Sequence, residues 1–91
     1  MANPKFERII DALHRGRQRA TYGAVAALIG RPPYFLMAGC PRDHRHSWIV
    51  NKQSGLPTGY GPADMHPEIL SHPGVLSTTL RLENWLRRAD S

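Results

Sequence analysis

Cysteine is almost missing: Cys40 is the only one among 91 residues. A single thiol closes no internal disulfide, and four-cysteine zinc sites are excluded. Long apolar runs are missing too, none approaching the roughly 18–20 residues of a membrane span. The opening MANPKFERII lacks the apolar stretch of a secretory leader, so no signal peptide is expected, and the lone cysteine fits a reducing cytoplasm best. No internal repeat or low-complexity segment is seen. The three glycines of GLPTGYGP have no lysine or helix start at the offset of a phosphate-binding loop, and no cofactor is called for. Acidic residues are scarce in the first half of the chain. Residues 1–50 hold eight Lys and Arg against three acids (Glu7, Asp11 and Asp43), whereas residues 51–91 hold four of each sign. The whole net charge of +5 therefore belongs to the first half. A one-sided basic surface attracts phosphate and releases counterions on binding, although charge also serves simple solvation.

What is present is enough for a folded domain. A hydrophobic fraction of 41% and this length give one domain, 1–91, with little core to spare. Phe6, Ile9, Ile10 and Leu13 recur at helical spacing, with Asn3-Pro4 as cap and first helical residue, so a helix is expected over 4–15. A second short helix follows Thr21 as N-cap, with Ala24, Val25, Leu28 and Ile29 on one face and Gly30 as terminator. One or two further turns are expected over Tyr34 to Ala38, giving a helix-turn-helix layout. HSWIVN suits a short strand, and NKQSGLPTGYGP is dense enough in turn formers for a hairpin or wing. A short helix near Pro67 should turn Ile69 and Leu70 inward. Leu82, Trp85 and Leu86 have helical spacing at the end, where TTLRL also alternates like a strand.

The stretch GRQRATYGAVAALIG resembles a signature in the DNA-binding domain of alkylguanine-DNA alkyltransferases (methylated-DNA–protein-cysteine methyltransferases) and alkyltransferase-like proteins. WIVNKQSG and ILSHPGVL resemble later segments of that family in the right order, and FERIIDALHRG fits its first helix. The resemblance runs over about residues 6–76. It implies a fold that is mainly α with a small β wing, a winged helix-turn-helix, bound to double-stranded DNA in the minor groove. It also implies that Tyr22 contacts the backbone beside the target nucleotide. Arg17, Arg19, Arg31, Tyr34, Arg42 and Arg45 are the further candidate DNA contacts. Leu36 stands where the family carries an arginine finger; an apolar side chain wedges between base steps but donates no hydrogen bond. The recognition segment is shorter than the family's.

The reaction centre departs further. Alkyl transfer needs a thiolate beside a histidine. Counting back from WIVN sets Arg45-His46-Ser47-Trp48-Ile49 on the family's Pro-Cys-His-Arg-Val motif, with His46 at the cysteine. An alternative alignment uses His44-Arg45 and sets Asp43 there. Neither supplies a thiol, and Cys40 between Gly39 and Pro41 does not precede a His-Arg pair. His44, His46 and Trp48 thus read as a degenerate active-site motif, and no enzyme activity is expected.

The implied function is non-catalytic DNA binding of the alkyltransferase-like kind, in recognition of alkylated DNA for repair, with DNA-repair proteins as implied partners and no membrane. The alternative is an interaction or small-molecule module on the same fold that has lost DNA binding, with its partner near Trp48 and Tyr60. His44-x-His46 would put two rings on one face of a strand, with Asp43, His66 or His72 as a third metal ligand. The neighbouring arginines argue against a cation, and no metal is expected. A hydrolase built on Asp43, His44 and His46 lacks any evident substrate-holding element. Trp48 and Trp85 read as core residues rather than stacking platforms. Tyr60 reads as a turn residue or as the lining of a pocket.

Overall fold

Phe6, Ile9, Ile10 and Leu13 are all buried on one face of α1 (Pro4–Gly16), as their spacing requires. A computed structural model of the chain describes residues 4–32, 36–37, 40–71 and 74–89. The expected cap Asn3, the expected turns around Tyr34 and the candidate ligand His72 lie wholly or partly outside those residues. Helix α1 stops where Arg17 turns into the left-handed region at φ 54°. The Gln18 N–H then reaches back to the Leu13 carbonyl at 3.1 Å, satisfying one of the helix's terminal acceptors.

The basic connector then becomes β1 (Arg19–Thr21), which runs straight into α2 (Tyr22–Ile29). Thr21 is the hinge between them. Its backbone is extended, and its side-chain oxygen accepts the Ala24 N–H at 3.2 Å. Gly30 closes the helix at φ 74° and donates to the Ala26 carbonyl, a conformation that glycine adopts without a Cβ penalty. Replacing Thr21 by alanine leaves a buried N–H of the first turn without its acceptor. The expected loss is about 1 kcal/mol of stability, read by urea denaturation, with serine at this position restoring most of it.

Parallel pairing, rather than a hairpin, organises the strands. β1 is the centre of a three-stranded sheet, flanked by β2 (Ile49–Val50) and β3 (Val75–Leu76). Ala20 and Thr21 pair with Ile49 and Val50, while Arg19 and Ala20 pair with Val75 and Leu76. Gln18 adds a side-chain bond to the Gly74 carbonyl at 2.8 Å, pinning the start of β3. The fold is therefore mixed α/β, with three helices and a small parallel sheet among the described residues. This corrects the expectation of a mainly α fold with a β wing. Residues 51–62 do form turns, but no second strand returns from them to β2 in the described chain. β2 pairs with the distant β1 instead, which local turn chemistry does not encode.

α3 (Thr79–Ala89) settles the ambiguity of TTLRL in favour of a helix. Leu82 is fully buried, and Trp85 and Leu86 pack against the core. Gly16 admits this helix closely, since a Cβ there would stand 2.6 Å from the Trp85 ring. The core joins α1, α2, α3 and the sheet around Trp48, with Ile69 and Leu36 added from the loops. Residues 67–70 form a turn rather than a helix. That turn buries Ile69 and leaves Leu70 65% exposed, correcting the expectation that both face inward. No described helix is long and apolar enough to cross a membrane.

Candidate functional site

The tight turn before β2 organises the histidine-rich stretch. Asp43 accepts the His46 backbone N–H at 3.0 Å and the His46 Nδ1–H at 2.6 Å, both on Oδ1. On the other edge of that ring, Arg45 Nη1 stands 3.2 Å from Nε2. A guanidinium can only donate, so Nε2 is the acceptor and the ring carries its proton on Nδ1. Both nitrogens of His46 are thereby occupied, and its side chain is 9% exposed. The Arg45 guanidinium is itself clamped by α1, with Asp11 at 2.7 Å and Glu7 at 3.2 Å. Ser47 donates to the His44 carbonyl and accepts the His66 N–H. These contacts lock the 43–48 turn to α1 on one side and to the 61–66 loop on the other.

Burial pushes the Asp43 carboxyl up. The two hydrogen bonds from His46, with the Arg45 charge behind them, outweigh that and hold it below its ordinary value. A depressed value in the folded state means that folding favours the carboxylate. This contribution is complete above the unfolded-state value and disappears as pH falls through the folded-state one. Asp43→Asn is therefore expected to be less stable than the wild type at neutral pH. The difference should narrow from about pH 5 downward, as followed by urea denaturation at a series of pH values. A difference that stays constant to strong acid would show that the carboxylate contributes nothing.

A cavity of about 690 Å³ opens where the start of α2 meets the loops. Tyr22, Met37, Cys40, Arg42, Thr58, Tyr60 and Asp64 line it. The Tyr22 hydroxyl accepts the Thr58 N–H at 2.9 Å, which leaves its own proton available for a ligand oxygen. Burial, then the nearby Asp43 carboxylate, pushes the Tyr60 hydroxyl up to about 12, so it remains a neutral group. Burial followed by the negative charges of Glu7 and Asp43 also pushes the Cys40 thiol up. Cys40 is thus held as a thiol, the opposite of the activation a nucleophile requires.

Sequence-predicted residues divide between this cavity and the interior. Tyr22 and Arg42 meet at the cavity wall, and Arg31 is exposed just beyond Gly30. Tyr34 lies outside the described residues. Leu36 is only 3% exposed and belongs to the core, which corrects its expected place facing the groove. Arg19 is 6% exposed and donates to the Gly55 carbonyl at 2.8 Å, so it is a strut of the 51–55 turn. Arg17 is paired with Glu68 at 2.7 Å. Arg45 is held by Glu7 and Asp11, as described. These three arginines were expected to be free phosphate contacts, but each is engaged within the protein. Trp48 is fully buried, and its indole N–H donates to His14 Nδ1 at 3.0 Å. His44 faces the 63–66 loop and contacts the Ala63 carbonyl at 3.2 Å. His14, Thr58 and Asp64 are additions that no motif announced; His14 looked like an ordinary polar residue near the end of an amphipathic helix.

Among the described residues no group of three or more His, Cys, Asp or Glu side chains is arranged to hold a metal ion. No protein-family model matches the chain, and no curated protein or solved structure was found to be similar to it.

Proposed function

We propose that this chain is a non-catalytic DNA-binding protein of the alkyltransferase-like kind, gripping the minor groove of a duplex from its small mixed α/β scaffold. One observation carries this reading. Three of the four segments that resemble the family lie far apart in the chain, yet each supplies one strand of a single sheet. The strand before Tyr22 lies between the Ile49–Val50 strand and the Val75–Leu76 strand. A chance likeness of short words gives no reason for all three to become neighbours. The cavity at the start of α2 adds a second support. It joins a tyrosine hydroxyl with a spare proton to an exposed arginine, a combination suited to positioning a phosphate. The occupied nitrogens of His46 and the protonated Cys40 thiol favour binding without chemistry. DNA-repair proteins are the proposed downstream partners.

The test is a titration by fluorescence anisotropy against duplexes with and without an O-alkylated guanine, at about 50 and about 200 mM salt. The expected result is binding at the lower concentration, weaker binding at the higher, and tighter binding to the alkylated duplex. Tyr22→Phe should weaken binding with the fold intact. The second reading, an interaction module without DNA binding, draws support from the burial of Leu36 and the internal engagement of Arg17, Arg19 and Arg45. It predicts no binding to any duplex at either salt concentration.

A further inference from the structure

Three imidazoles gather beside the cavity just described, on the other side of Arg42 and Asp64. His66 stands 5.6 Å, centre to centre, from both His14 and His44, and it packs 5.0 Å from the Trp48 ring. Together with Arg42, Asp43, Arg45, Ala63 and Asp64 they line a concavity of about 620 Å³. Arg42 and Asp64 also line the Tyr22 cavity, so the two hollows share a wall.

Their hydrogen bonds fix where the imidazole protons sit. His14 Nδ1 accepts the Trp48 indole N–H, a group that can only donate. His66 Nδ1 accepts the Glu68 backbone N–H at 3.0 Å. A ring that accepts at Nδ1 carries its hydrogen at Nε2. His14 and His66 are therefore both Nε2–H donors, and neither Nε2 has a hydrogen-bond partner among the described residues. A nitrogen bearing hydrogen has no lone pair for a metal, so the pair is unsuited to a cation and suited to an oxygen acceptor. Donors on rings 5.6 Å apart can each reach a different oxygen of one tetrahedral group across bonds of about 2.9 Å.

The surrounding charge selects among such groups. Arg42 is the one cation on the wall without an ion pair among the described residues, since Arg45 is taken by Glu7 and Asp11. Asp43 and Asp64 face the same hollow, while Arg17 and Glu68 beside His66 pair with each other. One free cation beside two carboxylates leaves no surplus of positive charge, so the hollow opposes a dianion more strongly than a monoanion, and the imidazole N–H donors with Arg42 must supply the attraction. We propose that the His14–His66 pair, with Arg42, is a binding site for a phosphodiester monoanion. The Nε2–H groups hold its two non-bridging oxygens. The proposal rests on the DNA reading for the source of that group, a backbone phosphate next to the one contacted by Tyr22. It rests on the imidazole geometry for the site itself.

The experiment uses the full chain labelled with nitrogen-15 and follows the imidazole resonances. Without ligand, His14 and His66 should show the Nε2–H pattern and His46 the Nδ1–H pattern. Titration with dimethyl phosphate should shift the His14 and His66 signals saturably and leave His46 unmoved, with inorganic phosphate binding more weakly at a pH where it is a dianion. The matched variant is His14→Asn with His66→Asn. Asparagine offers an acceptor at the Nδ1 position for the Trp48 and Glu68 N–H groups but removes the Nε2 donors, so the fold is kept. This double variant should lose the dimethyl phosphate response and bind oligonucleotides about tenfold more weakly. Saturable dimethyl phosphate binding without any duplex binding would support the site, make a small phosphodiester its ligand and overturn the DNA reading. Nε2 found unprotonated on either ring, or an unchanged response in the double variant, would overturn the site whatever the duplex result.

Discussion

Replacing Trp48 by alanine is expected to destabilise the protein by about 3–5 kcal/mol, the usual range for deleting a fully buried large aromatic side chain. Trp48 is 0% exposed and sits in the core cluster with residues of α1, α2 and α3. Its carbonyl also accepts the Ala20 N–H at 2.9 Å, tying it to the central strand. A chain of this size is stabilised by only about 5–14 kcal/mol in total, so the loss is a large part of the whole. Its melting temperature should fall by well over about 10 °C. Trp48→Phe separates packing from polarity. It retains most of the apolar contact but leaves His14 Nδ1 without its donor, for an expected cost of about 1–3 kcal/mol. Urea denaturation of the two variants beside the wild type gives both numbers. A loss below about 1 kcal/mol for the alanine variant would mean that the indole is not structural, and would return it to consideration as a stacking surface.

The legible parts of this chain were the local ones. The periodicity of Phe6, Ile9, Ile10 and Leu13, the Thr21 cap and the Gly30 terminator each depend on residues within a turn or two, and each appears as expected. Strand pairing was not legible. WIVN reads as a strand by composition, but nothing within it says that its partner is the Arg19–Thr21 segment, some thirty residues earlier, or that the pairing is parallel. Turn-forming residues pointed to a hairpin because hairpins are the local solution. The candidate site failed in the same way. Charge can be counted in a sequence, but its partners cannot. Arg45 meets Asp11 and Glu7 across 34 and 38 positions, and Arg17 meets Glu68 across 51. Leu36 is instructive in another way. Its side chain is the kind that fills a core, and only alignment to the family's arginine finger set it in a groove.

If the proposed duplex binding holds, these internal pairings determine how it should respond to salt. If all five candidate arginines met phosphate, the slope of log affinity against log salt would approach about −4.5, and a fourfold rise in salt would cost about 500-fold in affinity. Arg19 is buried, Arg17 faces Glu68, and Arg45 lies between two carboxylates. That leaves Arg31 and Arg42, so the expected slope is near −2 and the loss between 50 and 200 mM is only about tenfold. Position on the fold divides even these two. Arg42 shares the cavity with Tyr22, whereas Arg31 leaves from the far end of α2, about 13 Å along the helix axis. Arg42→Glu should therefore have the larger effect, weakening binding about 10- to 30-fold and removing about one unit of slope. Arg17→Ala should leave the slope unchanged, since it removes a charge that Glu68 already balances at 2.7 Å. A measured slope steeper than about −4 in the wild type would require Arg17 and Arg45 to abandon their carboxylates for the duplex. The Asp43–Arg45–Glu7 side of the molecule would then have to rearrange on binding.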